Sequence, residues 1–174
     1  MSALHIRAAT KIDLPRLTEI YNHYVIHTPV TFDIEPYTVE RRAAWFEQFG
    51  SEGRHRLLVA EGGSGIVGYA GTTRFRPKAA YDSTVETSIY CAPDAIHKGT
   101  GSALYTALFE ALAGEDIHRI VAGYTMPNLA SAALHARFGF KPVGFFHENG
   151  RKFGRFWDVA WLERPLILPP TESK

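Results

Sequence analysis

Glu86 is the residue in this chain whose type and setting most clearly suggest chemistry. It lies in Thr84–Cys91, a run of β-branched and aromatic residues that stops before Pro93 and reads as a strand. A carboxylate in such a strand is expensive unless it is paired or functional. It is either one half of a buried ion pair with a nearby arginine or a general base whose pKa burial has raised. Alternation along the strand places Thr84, Glu86, Ser88 and Tyr90 on one face. Just upstream, Arg74, Arg76 and Lys78 surround Phe75. That cluster is either a solvated strand end or a clamp for a substrate carboxylate, which guanidinium groups bind bidentately.

Directly downstream, His97-Lys98-Gly99-Thr100-Gly101-Ser102 leads into a helix with Leu104, Ala107, Leu108, Ala111 and Leu112 on one face. A strand, a glycine turn and a helix start expose backbone N–H groups and the positive end of the helix dipole, which suits an anion; Lys98 adds a charge. The spacing matches neither the Walker P-loop nor the dinucleotide fingerprint, since Leu104 stands where the latter needs a third glycine. Further on, Pro127-Asn128 opens another helix with Asn128, Ser131, Ala132 and His135 on one face.

The remaining elements must position these groups. Leu4–Ala9 alternates as a first strand. Thr10 with Asp13 forms a capping-box pattern, and Pro15 starts a helix whose apolar face holds Leu14, Leu17, Tyr21, Tyr24 and Val25. His23 and His27 are four apart there but lack a third ligand and the glutamate of a zinc helix, so no metal is expected. Thr38 caps a helix running through Arg41, Trp45, Phe46 and Phe49 to Gly50. The stretches 56–61 and 66–70 flank a glycine turn as a hairpin. Arg119–Gly123 reads as a buried parallel strand, followed by strands starting in Phe138–Val143 and spanning Phe156–Trp161. Alternating strands and helices closed by a hairpin imply an α/β chain with a mixed sheet covered by helices.

The whole chain narrows the function classes. Its 174 residues suit one domain, spanning 1–166, with a tail at 167–174 expected to fray after Pro169 and Pro170. The formal net charge of +1, without a dense Lys/Arg run, argues against nucleic acid or an anionic membrane as partner. No signal peptide and no membrane-length apolar run is present, so a cytoplasmic location is expected. The single cysteine, Cys91, excludes an internal disulfide and a cysteine-based zinc site, and reads as an inert buried thiol.

Taken in order, several motifs resemble the phosphinothricin / methionine sulfoximine N-acetyltransferase branch of the GNAT superfamily. They are Tyr21-Asn22-His23, Tyr81-Asp82, Val85-Glu86-Thr87-Ser88-Ile89-Tyr90, the glycine loop, Gly101–Tyr105, Pro127-Asn128, His135 and Lys152–Val159. The likeness runs from the first strand to about Leu166. It departs from the family at Ile96, where a Gln or Arg is usual in the pyrophosphate loop.

The resemblance implies a GNAT fold with a mixed, mostly antiparallel sheet of about seven strands flanked by about four helices. It also implies acetyl-CoA as co-substrate, a small amino-acid acceptor and a homodimer. Ile89, Tyr90 and Cys91 would offer backbone groups to the pantetheine arm. His97, Lys98, Gly99, Thr100, Gly101 and Ser102 would cradle the pyrophosphate, and Asn128 and Ser131 would contact the cofactor. Glu86 would be the base, and His135 would stand where other members carry a tyrosine that protonates the departing thiolate. Phe32, Phe75, Arg76, Lys78 and Tyr81, with Thr87 and Ser88, would line the acceptor pocket. Acetylation of a protein N-terminus or lysine, and a non-catalytic CoA-binding regulatory module, are the competing readings. The cationic 74–78 stretch disfavours the first, and retention of Glu86 the second.

Overall fold

The computed structural model describes residues 4–63, 65–94 and 99–166. Seven strands form one sheet: β1 (His5–Ala8), β2 (Leu57–Gly62), β3 (Gly65–Arg74), β4 (Thr84–Cys91), β5 (Arg119–Thr125), β6 (Lys141–Lys152) and β7 (Arg155–Pro165). Their spatial order is β1-β2-β3-β4-β5-β7-β6. Four α-helices accompany them: α1 (Leu14–His27), α2 (Val39–Phe46), α3 (Thr100–Ala111) and α4 (Leu129–Arg137). Each adjacent strand pair is antiparallel except β4 and β5, which run parallel as the apolar run at 119–123 suggests.

Local sequence explains the helix boundaries. The Thr10/Asp13 capping box is present and shapes a 3-10 turn over Lys11–Asp13, which passes directly into α1 with Pro in its first turn. Thr38 caps α2 by accepting from the Arg41 backbone N–H. The second helix is shorter than its sequence suggests. It ends at Phe46, and the chain continues in single turns in which Gln48 and Phe49 bond back to Trp45 and Phe46. The first strand likewise stops at Ala8, one residue short of the expected end, because Asp13 already organises Thr10.

Both faces of the sheet are covered. Leu104, Tyr105 and Leu108 of α3, with Leu112 just past its end, pack on Leu58, Val67, Ala70, Val85, Ile120 and Leu162. On the other face Leu17 and Ile20 of α1 pack on Leu57, Val59, Ile66 and Tyr69, with Trp45 and Phe49 alongside. The side chains at 0 % exposure, including Leu17, Val59, Tyr69, Val85, Leu104, Tyr105 and Leu108, come from both layers, so strands β2–β4 are sandwiched rather than half-solvated. β6 is the exception, an edge strand exposed along most of its length.

The feature that matters for function is a break between the parallel strands. β4 pairs with β5 only at Thr84–Arg119, Val85–Ile120 and Glu86–Val121. Beyond Glu86 the two strands part, although β4 continues to Cys91 on its β3 side and β5 to Thr125 on its β7 side. The β4 edge facing the gap therefore has peptide groups without ladder partners, and such groups must find other partners.

Candidate active site

The gap opens into a cavity of about 600 Å³. It crosses the sheet. On the α3 side it is lined by Gly99, Gly101, Ser102, Tyr105, Leu134 and His135, on the α1 side by Tyr24 and Val30, and between them by Thr87 to Cys91 and by Gly123 and Tyr124. A second cavity of about 570 Å³ lies among Arg54, His55, Arg74, Asp82, Glu115 and Asp116, whose arginines are tied up in ion pairs, away from the strand gap.

Glu86 stands at the apex of the gap, the last β4 residue paired to β5. It is half-buried. Burial raises its pKa above the ordinary carboxylate range, and the positive charge of Arg76 opposes that shift. Among the described residues no ion pair or hydrogen bond to the Glu86 carboxylate occurs, so the buried ion-pair reading fails at the level of contact. A carboxylate without protein donors, in partial contact with solvent, suits a group that takes up a proton.

The predicted cationic cluster divides. Arg76 stacks over Phe75, 4.8 Å from the ring centroid, and acts on Glu86. Phe75 in turn meets Tyr81 at 5.9 Å and Trp161 at 6.2 Å. Glu86, Arg76, Phe75 and Tyr81 thus form one neighbourhood. Arg74 does not join it: Asp82 holds its guanidinium at 3.2 Å, and it faces the other cavity. Lys78 precedes the 3-10 turn Ala79–Tyr81 and is exposed. Phe32 lies on the loop between α1 and α2, with its ring against Gly150 of β6.

Along β4 the two faces have separate partners. Tyr90 packs edge-on against Tyr21 and Tyr24 on the α1 side. Thr87 faces α3, where its hydroxyl meets that of Tyr105, and it donates to the carbonyl of Gly71 on the neighbouring strand β3. Thr87 and Ser88 both border the cavity, from opposite faces of β4, and the Thr87 hydroxyl is engaged by Gly71 and Tyr105. Cys91 is a free, half-buried thiol whose pKa burial raises, and its carbonyl accepts from the Tyr24 hydroxyl at 2.6 Å.

At the start of α3, Gly99 adopts φ 94°, a left-handed conformation that favours glycine, with no heavy atom within 4 Å of where a Cβ would sit. Ala103 is the residue that donates back to the Gly99 carbonyl, so the Gly101 and Ser102 N–H groups precede the first intrahelical bond. Gly101 allows a close approach: a Cβ there would come within 3.1 Å of Leu134. A diphosphate fits such an open, glycine-lined helix start. His97 and Lys98, with Ile96, lie outside the described residues.

On α4, Asn128 caps the helix by accepting from the Ser131 N–H at 3.0 Å. His135 is 3 % exposed and both ring nitrogens are engaged. Nδ1 lies 2.7 Å from the Ser131 carbonyl oxygen, which can only accept, so Nδ1 carries the proton. Nε2, 3.0 Å from the Tyr105 hydroxyl, is then an acceptor. Burial lowers the His135 pKa, which favours this neutral form. A neutral His135 of this tautomer has no N–H to offer a departing thiolate.

Tyr24 and Tyr105 are site residues that sequence reasoning missed. Helical periodicity places the Tyr24 ring on an apolar face but says nothing of its hydroxyl, and Tyr105 enters the sequence reading only as the end of the Gly101–Tyr105 motif. Among the described residues no group of three or more His, Cys, Asp or Glu is placed to hold a metal ion; the His23 and His27 rings lie 5.0 Å apart with no third partner. No described helix is long and apolar enough to cross a membrane.

Similarity to known proteins identifies the family. Residues 6–161 match the family model described as an acetyltransferase (GNAT) domain, and the chain belongs to that family. Within it, the chain is 53 % identical over 165 residues to a phosphinothricin N-acetyltransferase of Streptomyces coelicolor, with 94 % of this chain and 96 % of the relative covered. It is 35 % identical over 168 residues to an L-methionine sulfoximine/L-methionine sulfone acetyltransferase of Pseudomonas paraeruginosa, covering 97 % and 96 %. In structure it is similar to a phosphinothricin acetyltransferase of Sinorhizobium meliloti solved in complex with acetyl-CoA, at a TM-score of 0.86 and 32 % identity, covering 98 % and 92 %. The chain is an acetyltransferase of the GNAT fold, a mixed seven-stranded sheet with four helices.

Proposed function

We propose that the enzyme transfers the acetyl group of acetyl-CoA directly to the α-amino group of a small amino acid or analogue, with phosphinothricin, methionine sulfoximine and methionine sulfone as the first acceptors to test. One observation carries this reading: the strand gap joins a glycine-lined helix start on one side to an unpaired carboxylate with an adjacent arginine at its apex. The names of the relatives support the acceptor class.

In this reading the pantetheine arm of acetyl-CoA occupies the gap and bonds the open edge of β4 at Ile89–Cys91, with the diphosphate at Gly99–Ser102. Asn128 and Ser131 flank it from α4. The acceptor enters beside Phe75, Tyr81 and Phe32, its carboxylate toward Arg76 with Lys78 in support. Glu86, directly or through water, removes a proton from the ammonium group, because only the free amine can attack a thioester. The attack leaves a tetrahedral oxyanion, which a β4 backbone N–H stabilises. Collapse expels the CoA thiolate. With a thiol pKa of about 8.5 it leaves without an obligatory acid, in keeping with a His135 that carries its one proton toward Ser131. No covalent enzyme intermediate is needed, since the gain comes from positioning two substrates on either side of one sheet.

The activity is assigned to the single domain 1–166 of a cytoplasmic protein that works as a homodimer. The second copy would cover the β6–β7 edge, where Val143, Phe145, Phe146, Phe153 and Phe156 are exposed. The test is acetyl-CoA-dependent thiol release against a panel of free amino acids, their sulfone, sulfoximine and phosphinate analogues, and peptide amines. Turnover confined to peptide amines would overturn the small-acceptor reading.

A further inference from the structure

Lys152 is a buried cation that the transfer reaction does not use. At 5 % exposure, it forms no ion pair with any carboxylate among the described residues. Burial lowers its pKa, partly offset by Asp33. Its Nζ donates at 2.8 Å to the Thr31 carbonyl and reaches the Tyr24 carbonyl at 3.5 Å. It therefore joins the last strand pair to the loop that follows α1, at the residue preceding Phe32.

Two positions earlier on β6, Gly150 supplies the other half of the contact. A Cβ built on Gly150 would lie 2.2 Å from Phe32 Cε2 and 2.3 Å from its Cζ, so the ring rests directly on the strand backbone. Gly150 is not in the left-handed region, and alanine there is not strained by backbone geometry. The absence of a side chain at this position makes room for an aromatic ring from another part of the chain. β6 itself is otherwise exposed and Gly150 pairs with Trp157, whose Nε1 donates to the Lys152 carbonyl at 3.0 Å. The hairpin thus has its own bracing and does not depend on Phe32.

We propose that Gly150 and Lys152 are positioning residues for acceptor specificity: Lys152 fixes the loop backbone at Thr31, and Gly150 provides the seat that holds the Phe32 ring at the acceptor pocket. This rests on the reading that Phe32 lines that pocket. Neither residue touches the reacting atoms. Both act through Phe32, so their effect falls on the acceptor and not on acetyl-CoA.

The test is a double-mutant cycle of Gly150→Ala and Phe32→Ala, with kcat and KM measured for the best acceptor and for acetyl-CoA. One misplaced methyl group in a pocket is worth about 10–200-fold in kcat/KM. Gly150→Ala should lower kcat/KM for the acceptor at least about tenfold, with KM for acetyl-CoA unchanged. In the Phe32→Ala background the same substitution should have no effect, because no ring is left to displace. Lys152→Met should raise the acceptor KM with little change in kcat, and Lys152→Arg should restore it in part. Equal effects of Gly150→Ala with and without Phe32 would overturn the seat. A crystal structure of Gly150→Ala with the Phe32 ring unmoved would do so whatever the acceptor proves to be. If the wild type releases no thiol with any acceptor, the function above fails, and that structure still decides the seat.

Discussion

Two carboxylates in this molecule are drawn into the fold and treated in opposite ways. Asp13, at 6 % exposure, receives both arms of the Arg7 guanidinium at 2.7 and 2.8 Å and two further hydrogen bonds from Thr10. Those donors hold its pKa down at about 2. Glu86 is half-buried with no such donors, and burial moves its pKa the other way. The residue chemistry is nearly the same; what differs is whether the surroundings were built to stabilise the anion. Asp13 secures the entry to α1 and stays ionised, whereas Glu86 is left with an affinity for a proton at the apex of the strand gap. A carboxylate's partners, more than its burial, separate a structural acid from a reactive one.

The largest effect should come from exchanging each acid for its amide. Glu86→Gln should lower kcat by about 10²–10⁴ while leaving acetyl-CoA affinity unchanged, as expected for loss of a general base. It should not destabilise the fold at neutral pH. A raised folded-state pKa means that the wild-type side chain's contribution is full below its unfolded pKa and is lost as pH rises through the folded value, so the amide removes a penalty above that range. Asp13→Asn should do the reverse. Loss of this partly buried pair, in which Arg7 keeps Glu61, costs about 1–3 kcal/mol, which for a chain of this size lowers Tm by roughly 2–12 °C, with turnover below the melting range intact. Steady-state kinetics and calorimetry on both variants check this. Equal turnover in wild type and Glu86→Gln would place the proton acceptor elsewhere.

The next effect concerns the two arginines that pair differently. Arg7 is committed to Asp13 and Glu61, whereas Arg76 leans on Phe75 and acts on Glu86 without an ion-pair contact among the described residues. A desolvated charge-assisted hydrogen bond is worth about 1.5–3 kcal/mol. Arg76→Ala should therefore raise the acceptor KM about 10–150-fold and leave the acetyl-CoA KM alone. Arg74→Ala, which breaks only an exposed pair with Asp82, should change neither by more than about twofold. If the acetyl-CoA constant rises instead, the 74–78 stretch serves the co-substrate.

These contrasts show which parts of the molecule were legible in the chain. Glu86 was, because a carboxylate in an apolar strand is a local anomaly. So were the Thr38 cap, the hairpin of 56–61 with 66–70 and the glycine turn at 99–101, whose signals lie within a few residues. The division of labour between Arg74 and Arg76 was not legible, since it depends on Asp82 taking one of them. Nor was the hydroxyl chemistry of Tyr24 and Tyr105: helical periodicity put the Tyr24 ring on an apolar face and left Tyr105 unassigned, and it could not show that Tyr24 would meet the Cys91 carbonyl or Tyr105 the His135 ring. The strand gap itself is a matter of register, and register across β4 and β5 is set by α3 and β7 packing on them from elsewhere in the chain.

The smallest effect sharpens the comparison with a group of the other charge type. His135, like Glu86, is disfavoured in its charged form by burial, but its two neutral-form hydrogen bonds are satisfied by Ser131 and Tyr105. Its folded-state pKa lies below the ordinary 6.5. The unfolded chain therefore binds a proton more readily, and the stability that His135 contributes is present above 6.5 and lost as pH falls through the lower folded value. His55 shifts the same way, so wild type alone cannot isolate the effect. The difference between wild type and His135→Gln can, because the amide keeps a polar partner for Tyr105 and does not titrate. Denaturant unfolding at steps from pH 7 down to 5 should give a wild-type stability that falls more steeply than the variant's, by up to about 1.4 kcal/mol per pH unit for the one proton involved. Turnover at pH 8 should fall by less than about tenfold in the variant, since a thiolate of pKa about 8.5 departs without an acid. Parallel stability curves would mean that the imidazole is not held neutral by the fold. A loss in turnover as large as that of Glu86→Gln would show that the ring does deliver a proton during the reaction.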